Sequence, residues 1–357
     1  MSGLFEYNHA GAKIKAMKGK LLQKEDYERL LQMPNVKEAA LYLKNATCYK
    51  EALADLDEND VHRGHLEILL YRSIMEDTDK ISHYVSGYEK ELFYYIYTDH
   101  EIEDIKKMIR FLRLNRPLAE MDKQLLFMDK YSKIDFEKCF SARSDEELVE
   151  ALKGSAYYKV LKGLLDEKNQ LPIFEAEMAL DYYSYQEIIR HIDHFKMDHA
   201  REIALQMFGY MIDYKNIMYI YRSKHYYQLS KEMLYRYMIP LFYKLSAEEV
   251  KAMIEAESTE EAVQLVGQSF YGKIFDLNKK GVTLAYRRFM RNHWVRLMSL
   301  EPFGLASILG YFLLKEIEIF DVTAIIEGIR YSVGSSMDLA EELVYPLRRK
   351  EGNSLGS

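Results

Sequence analysis

The chain has little of the residues that interrupt helices. Only 6 prolines and 17 glycines are spread over 357 residues, well below the average use of either residue. Proline removes a backbone hydrogen-bond donor, and glycine adds backbone entropy that folding must remove, so long helices contain few of them. No stretch of convincing length alternates apolar and polar residues as strands do. The scarcity therefore predicts an all-α protein.

Cysteines and long apolar runs are also scarce. Cys48 and Cys139 lie far apart without the spacing of metal ligands, which predicts buried, reduced thiols of a cytosolic protein. The longest apolar run, Phe303 to Leu314, is too short to span a bilayer, and the first residues contain no apolar signal core. We therefore expect a soluble chain without direct membrane insertion.

Tyrosine and other hydrophobic residues are abundant instead. Hydrophobic residues make up 48% of the chain, and 30 residues are tyrosine. A tyrosine side chain packs like an apolar ring but keeps a polar tip, which suits half-buried helix faces and interfaces. The formal net charge is −7, which argues against a dedicated nucleic-acid-binding protein. We expect protein partners and no nucleic acid.

The sequence matches itself when it is shifted by 109 residues. Between positions 24–50 and 133–159, eight of 27 ungapped positions are identical, where average composition gives roughly one in sixteen by chance. The identical pairs are Lys24 with Lys133, Asp26 with Asp135, Glu28 with Glu137, Glu38 with Glu147, Leu43 with Leu152, Lys44 with Lys153, Tyr49 with Tyr158 and Lys50 with Lys159. The same shift aligns two sets of three residues, Asp104, Lys106 and Arg113 with Asp213, Lys215 and Arg222.

A third, weaker copy follows at shifts of 113 and then 105 residues. Four residues of the second copy, Glu147, Leu152, Gly154 and Tyr158, recur as Glu260, Leu265, Gly267 and Tyr271. Further on, Asp213 recurs as Glu318. The predicted fold is all-α, with three pseudo-repeats of about 110 residues. Their predicted bounds are 1–117, 118–228 and 229–337, followed by a helix end and a loose tail at 338–357.

Local patterns add detail to each copy. Ile105, Met108, Ile109 and Leu112 follow the spacing of one buried helix face. Ser144 and Ser246 each precede acidic residues, which predicts helix N-termini capped by serine. Asn115 with Pro117, and Pro240, predict breaks near the ends of copies.

One segment has the spacing of a phosphate-binding loop. Gly267 to Lys273 reads GQSFYGK, but such a loop requires a preceding strand and a serine or threonine after the lysine. Here a helical pattern precedes the segment and Ile274 follows it. The positions equivalent to its ends in the first copy are Asn45 and Lys50. We therefore interpret the match as variation within the repeat rather than nucleotide binding.

Histidine and basic residues give two further candidate sites. We predict that His191, His194 and Asp198 share one helix face, which could hold a metal. We favour a polar, histidine-rich face without a metal. Six basic residues with no acidic residue between Asp276 and Glu301 form a basic stretch, Lys279, Lys280, Arg287, Arg288, Arg291 and Arg296.

Aromatic side chains interrupt the basic stretch. Tyr286, Phe289 and Trp294 lie among its arginines, an arrangement that suits base stacking beside phosphate contacts. An amphipathic helix with a basic face against an acidic protein partner has the same pattern. Because the chain as a whole is acidic, we favour the protein partner.

Three segments resemble the C/d subunit of rotary A-type and V-type ATPases, which is the C subunit of the prokaryotic complexes. Residues 12–22, AKIKAMKGKLL, resemble its ARxRAMxSxLL opening, with lysines for arginines and glycine for serine. Residues 212–216, IDYKN, followed by Arg222, resemble its ID-x-x-N…R segment. Near the end Pro302, Tyr311, Lys315, Glu316, Glu318 and Ile319 resemble its P…Y…KExE[VI] segment. There Asp321, Val322 and Thr323 depart from the N-L-R of the family.

The resemblance, which extends from Ala12 to about Arg330, implies a fold and a function. Members of the family are threefold helical repeats that form a funnel-like socket on the cytoplasmic face of the membrane ring of proteolipid subunits. The central stalk, subunits D and F, inserts into the socket and transmits torque between ATP hydrolysis or synthesis and ion transport. The resemblance therefore implies a peripheral, non-catalytic subunit without cofactor or metal. The basic stretch is then the candidate partner contact.

Two other function classes remain open at this point. A free-standing helical scaffold is one alternative, although solenoid repeats usually run roughly 20 to 50 residues, shorter than the units found here. A metal- or nucleotide-dependent enzyme is the other, although GxSxG is absent and no Ser/His/Asp or Cys/His arrangement can be recognised. The choice between protons and sodium, and between ATP synthesis and hydrolysis, is not encoded in a recognisable motif.

Overall fold

A computed structural model describes residues 8–57, 63–85, 87–118, 134–195, 198–331 and 336–347, with single residues 61, 121 and 132. Within these ranges the chain is helical and contains no strand, which confirms the predicted all-α class. The predicted tail beyond 347 and part of the first repeat boundary lie outside the described residues. No helix in the described ranges is long and apolar enough to cross a membrane.

The described helices are numbered here in chain order. The first five are α1 (Asn8–Lys18), α2 (Lys24–Leu30), α3 (Val36–Ala46), α4 (Arg63–Ser82) and α5 (Gly87–Arg113). The next five are α6 (Phe136–Ser141), α7 (Asp145–Ala151), α8 (Ala156–Lys162), α9 (Ile173–Asp193) and α10 (Asp198–Arg222). The last six are α11 (Lys231–Tyr237), α12 (Ala247–Glu255), α13 (Thr259–Gln268), α14 (Val282–Leu300), α15 (Leu305–Tyr331) and α16 (Ser336–Glu341).

Short helices precede pairs of long helices three times along this order. The long pairs are α4 with α5, α9 with α10, and α14 with α15, and each is preceded by short helices beginning with α2, α6 and α12 respectively. The order is compatible with three pseudo-repeats, whose existence and bounds stay a prediction. By packing, the chain divides into two compact units, residues 1–77 with 281–357 (unit 1) and residues 78–280 (unit 2).

Serine side chains begin several short helices, as the sequence predicts. The Ser144 hydroxyl accepts the backbone N–H of Glu147 at 3.2 Å at the start of α7. Ser246 accepts from Glu249 at 3.1 Å, and the Glu249 carboxylate accepts the Ser246 N–H at 2.7 Å in a capping box at the start of α12. These bonds satisfy donors that the first helical turn leaves without a partner.

Unit 2 is built around α5, α9 and α10, with α9 packed against both other helices. Ile105, Met108 and Ile109 are fully buried on α5 and Leu112 is half-buried, which confirms the predicted helix face. The helix ends at Arg113, and Asn115 adopts a φ of 53° in the left-handed region. Asparagine tolerates this conformation better than most residues, so the predicted break is confirmed.

Unit 1 is built around α14 and α15, and α1, α2 and α3 also pack on α15. Trp294 on α14 is fully buried. A Cβ atom at Gly310 of α15 would lie 2.6 Å from the Met298 sulfur and 3.3 Å from the Trp294 ring. A larger residue at this position would therefore displace the Met298 side chain from its place between the two helices.

Candidate functional site

The basic stretch lies at the start of α14 and along it. Gly281, with a φ of 82°, turns the chain into the helix. Lys279 and Lys280 are exposed just before it, and the Lys279 ammonium lies 3.5 Å from the Asp276 carboxylate. Arg296 is exposed near the other end of the helix. These three side chains are available to an external partner.

The other three arginines of the stretch contact this chain itself. The Arg287 guanidinium lies 4.1 Å from the centre of the Phe320 ring, and that of Arg291 lies 4.9 Å from the Tyr345 ring. Arg288 donates to the Leu343 carbonyl from Nε at 3.1 Å and from Nη2 at 2.7 Å. Cation–π contacts and charge-assisted hydrogen bonds are stabilising. These three arginines therefore attach α14 to α15 and to the segment after α16.

The aromatic residues of the stretch are turned into unit 1. Tyr286 is 7% exposed and Trp294 is fully buried. Phe289 is half-buried. Stacking on nucleic-acid bases needs an exposed ring face, so Tyr286 and Trp294 do not provide the platform that the nucleic-acid interpretation requires. The burial favours the protein-partner interpretation of the exposed charges.

The residues of the ID-x-x-N segment form a buried joint in unit 2. Asp213 on α10 is fully buried, and its carboxylate accepts three successive backbone N–H groups, from Tyr243 at 3.1 Å, Lys244 at 2.6 Å and Leu245 at 3.1 Å. It also accepts the Tyr271 hydroxyl at 2.9 Å. One carboxylate thus fixes the segment that leads into α12.

Two more residues on the same face of α10 contact the segment that Asp213 binds. The Asn216 side chain donates to the Ile239 carbonyl at 3.0 Å and accepts the Ile239 N–H at 3.1 Å. A Cβ atom at Gly209 would lie 2.6 Å from the Tyr243 Cβ. Gly209, Asp213 and Asn216 are spaced at i, i+4 and i+7 along one face, so the motif is a docking face for residues 239–245.

Unit 1 contains a comparable joint on α15. Glu318 is 3% exposed and accepts the Leu22 N–H at 2.5 Å, just before α2. It also accepts the Tyr49 hydroxyl at 2.7 Å. The Lys315 ammonium lies 3.5 Å from Glu318 and 3.8 Å from the centre of the Tyr49 ring. Burial raises the pKa of Glu318, while Lys315 and the two donors favour the ionised form.

Asp321, one of the departures from the family pattern, acts in the same joint. Its carboxylate accepts the N–H groups of Val344 at 2.7 Å and Tyr345 at 2.8 Å. Burial raises the pKa of Asp321 to about 6. Asn216, its equivalent at the 105-residue shift, accepts a backbone N–H in the same way. Asp321 therefore provides in unit 1 a hydrogen-bond acceptor comparable to that of Asn216 in unit 2.

The two lysines that the 109-residue shift aligns converge on one carboxylate. Asp181 on α9 is 3% exposed and lies 2.7 Å from the ammonium of Lys106 on α5 and 2.9 Å from that of Lys215 on α10. The Tyr219 hydroxyl also donates to it. Burial alone would raise the pKa of Asp181, but Lys215 and Lys106 hold it at about 2.

The segment with phosphate-loop spacing is helical. Gly267 is within α13, and Phe270–Lys273 form a 3₁₀ turn. The Ser269 hydroxyl accepts the Tyr271 N–H at 3.2 Å, and Tyr271 donates to Asp213 as described above. The described residues before the segment form a helix and no strand, which confirms the helical pattern that the sequence predicts there. These residues belong to the joint of unit 2.

The prediction that His191, His194 and Asp198 share one helix face is wrong. α9 ends at Asp193, so His191 is in α9, His194 is its C-cap, and Asp198 is the first residue of α10. The His194 ring nitrogen Nδ1 lies 2.6 Å from the Arg190 carbonyl oxygen. In the ranges that the structure describes, no group of three or more His, Cys, Asp or Glu side chains is placed to hold a metal.

Both cysteines are free thiols, but only one is buried as predicted. Cys139 is fully buried, and burial raises the pKa of its thiol to about 12. Cys48 is half-buried, and its sulfur lies 3.5 Å from the Lys315 ammonium. Burial is also the main reason that the pKa of Cys48 is raised. Neither thiol has the lowered pKa of a reactive cysteine.

Comparison with protein families gives a match over most of the chain. The model of the ATP synthase (C/AC39) subunit family matches residues 10–337. The chain belongs to this family. The A-type ATP synthase C subunit of Methanosphaera stadtmanae is 26% identical over 352 residues, which cover 95% of this chain and 88% of the relative. That of Pyrococcus abyssi is 24% identical over 336 residues, covering 92% and 87%. That of Methanothermobacter thermautotrophicus is 23% identical over 340 residues, covering 92% and 85%.

Sequence motifs point to the residues of the joints but not to several of their partners. Asp181 belongs to none of the motifs, although it forms ion pairs with both Lys106 and Lys215. The backbone of residues 344–345, which Asp321 holds, carries no motif either. Acidic residues among the apolar residues in the first half of α9 are the available signal for Asp181, because a buried charge requires a partner.

Proposed function

We propose that this chain is a non-catalytic subunit of a rotary V-type or A-type ATPase that links the central stalk to the membrane ring. The proposed partners are stalk subunits D and F and the proteolipid ring, which the chain contacts as a peripheral socket on the cytoplasmic face. The observation that carries the proposal is the family match over residues 10–337. Three relatives of nearly the same extent are named as the C subunit of an A-type ATP synthase.

The internal joints support a role in transmitting torque. A coupling element must resist deformation between the surfaces that it connects. In unit 2, Asp213 receives three backbone donors and one tyrosine hydroxyl. In unit 1, Glu318 and Asp321 fix the segments at Leu22 and at Val344. Buried, satisfied polar networks of this kind rigidify the elements that they join.

The proposal assigns ATP hydrolysis and ion passage to other subunits. The segment with phosphate-loop spacing contributes Tyr271 to the joint of unit 2, and the three candidate metal ligands are divided between two helices. These positions thus have structural explanations. The family match also favours a subunit of an assembly over a free-standing helical scaffold.

The exposed charges beside and on α14 are the proposed partner contact. Lys279, Lys280 and Arg296 are exposed. Arg287 and Arg291 are half-buried against aromatic rings, and Arg288, although exposed, donates to the Leu343 carbonyl. We therefore place the contact with an acidic stalk or ring surface at Lys279, Lys280 and Arg296, and assign the other three to internal support.

Co-purification tests both the proposed function and the proposed location of the partner contact. A tagged full-length chain is expected to recover stalk subunits D and F and the proteolipid ring from detergent-solubilised membranes. The double variant Lys280→Gln with Arg296→Gln is expected to reduce recovery, most strongly at low salt, because salt screens exposed charges. The control Lys153→Gln with Lys159→Gln makes the same charge change at exposed positions of unit 2.

The outcomes separate the function from the contact. If the unmodified chain recovers none of these subunits, the proposed function is wrong. If the chain recovers them and the two double variants behave alike at every salt concentration, the function stands and the contact assignment is wrong.

A further inference from the structure

The turn between α14 and α15 in unit 1 exposes apolar side chains. Leu300, the last residue of α14, is 73% exposed, and Phe303 is 43% exposed. Pro302, which lies between them in the chain, is also exposed. A single exposed leucine is ordinary on a protein surface, whereas neighbouring exposed apolar residues mark an interaction site. We call Leu300, Pro302 and Phe303 the apolar tip.

Hydrogen bonds and packing fix the turn that carries the apolar tip. The Ser307 hydroxyl donates to the Glu301 carbonyl at 2.7 Å, and the Ser307 N–H donates to the Gly304 carbonyl at 3.0 Å. Phe303 lies against α1, since a Cβ atom at Gly11 would be 2.8 Å from the Phe303 Cα. Glu301 is half-buried, and a Cβ atom at Gly304 would be 2.9 Å from its Oε2. The exposed apolar side chains therefore belong to a well-bonded turn.

The helix that contacts this turn, α1, begins a basic segment. Residues 8–24 include five lysines and no acidic residue, although the whole chain has a net charge of −7. The five are Lys13, Lys15, Lys18, Lys20 and Lys24. Lys15 and Lys20 are exposed, and neither forms an ion pair with a residue in the described ranges. Their positive charges are therefore presented to the outside of unit 1.

Positive charges on two helices lie one turn away from the apolar tip. Lys15 is four residues after Gly11 on α1, and Arg296 is four residues before Leu300 on α14. Four residues of an α-helix span about 6 Å. Both side chains are exposed. This end of unit 1 is thus apolar at the turn and basic one helical turn further back.

We propose that the apolar tip and the lysines of residues 13–20 contact the surface of an anionic lipid bilayer. Apolar side chains gain free energy at the boundary between headgroups and acyl chains, and lysines are attracted to anionic headgroups. A purely acidic protein surface would match only the lysines, and a purely apolar groove would match only the tip. The contact is interfacial and involves no membrane-spanning helix. It does not depend on the proposed function, because lipid alone is the partner.

Flotation of the purified full-length chain with lipid vesicles tests the proposal. Vesicles of phosphatidylcholine and phosphatidylglycerol in equal parts are the anionic probe, and vesicles of phosphatidylcholine alone are the neutral one. The chain is expected to bind the anionic vesicles more tightly, with an affinity that falls as salt is added. Binding to neither kind of vesicle, or equal binding to both, would overturn the proposal. Binding only to vesicles that also contain the proteolipid ring would overturn it too, because the surface then contacts protein.

An apolar substitution locates the binding at the tip. Leu300→Gln is expected to weaken binding to the anionic vesicles roughly fivefold or more, because the leucine no longer buries apolar area in lipid. The control Leu114→Gln changes a leucine of unit 2 that is 68% exposed and is expected to bind as the unmodified chain does. Thermal melting should be unchanged in both variants, because both side chains are exposed. Equal affinities of the two variants would overturn the assignment to the tip.

A charge substitution tests the lysines separately. Lys15→Gln with Lys20→Gln is expected to weaken binding to the anionic vesicles roughly tenfold or more at low salt. The control Lys153→Gln with Lys159→Gln removes two exposed charges of unit 2 and should have little effect. If the two double variants bind alike, the lysines do not face the bilayer and the proposal is wrong. Arg296 stays unchanged in all four variants, so the bilayer contact and the proposed partner contact can fail separately.

Discussion

Asp213 in unit 2 and the pair Glu318 and Asp321 in unit 1 perform the same task with different numbers of carboxylates. Asp213 alone accepts three backbone N–H groups and the Tyr271 hydroxyl. On α15 these contacts are divided between Glu318 and Asp321. Both joints fix a connecting segment by satisfying its backbone donors on a buried helix face.

The division in unit 1 follows from which segments must be held. Glu318 fixes the chain at Leu22, near its beginning, and Asp321 fixes it at Val344 and Tyr345, near its end. One helix thereby joins two segments that are more than 300 residues apart in sequence. The comparison shows that hydrogen bonds to backbone, rather than exposed ion pairs, define these joints, as expected from the small contribution of surface ion pairs.

The largest expected effect is that of Asp213→Ala. The substitution leaves three backbone donors and one hydroxyl without their acceptor, so we expect a loss of about 4 kcal/mol in the free energy of unfolding. Urea denaturation measures it. The control Asp213→Asn keeps one acceptor oxygen and should cost less than Ala. A loss below about 1 kcal/mol for Asp213→Ala would show that the joint does not stabilise unit 2.

Glu318→Ala is expected to cost about 3 kcal/mol, less than Asp213→Ala, because two donors rather than four lose their acceptor while Lys315 stays buried beside the site. Urea denaturation again gives the free energy. Amide hydrogen exchange should accelerate at Leu22 and at the start of α2, and less at 344–345, which Asp321 still holds. Uniform acceleration over both segments would contradict the division of contacts on α15.

Asp181 contributes one part of the acid dependence of unit 2. Its pKa is about 2 in the folded chain and roughly 4 in an unfolded one. The ionised carboxylate therefore contributes stability above about pH 4 that is lost as the pH falls from about 4 to about 2, in total about 3 kcal/mol. Asp181→Asn should remove this part of the acid dependence. Parallel acid profiles for the two chains would contradict the assignment.

The smallest expected effect is that of Arg288→Ala, about 1 kcal/mol. The carbonyl of Leu343 loses its donor, so amide exchange should accelerate in residues 341–345 and remain unchanged in unit 2. Lys153→Ala serves as the control because its side chain is exposed and lies outside the proposed partner contact. If Arg288→Ala instead weakens recovery of stalk subunits without affecting residues 341–345, Arg288 belongs to the partner contact after all.

The helical class, the caps and the motif residues could be predicted well from the sequence, because these depend on local patterns. The ion pairs of Lys106 and Lys215 with Asp181 could not be predicted, because they depend on the packing of α5 and α10 against α9. The contacts of Arg287, Arg288 and Arg291 with this chain could not be predicted either. Their partners Phe320, Leu343 and Tyr345 are far along the chain and lack a distinctive motif.

The error at His191, His194 and Asp198 has a local cause. No proline or glycine marks the end of α9, so the helical pattern continues in the sequence beyond the C-cap of the helix. Asp198 is the available signal, because an acidic residue is favoured in the first turn of a new helix. Its position at the start of α10 divides the three side chains between two helices.

The most direct test of the central claim compares the complete rotary complex with one that lacks this chain. Both are reconstituted into vesicles, and ATP hydrolysis and ATP-driven ion uptake are measured on the same preparation. The account predicts that hydrolysis by the head continues without the chain while ion uptake is lost, and that adding the chain restores uptake. Unchanged ion uptake without the chain, or ATP hydrolysis by the isolated chain, would contradict it.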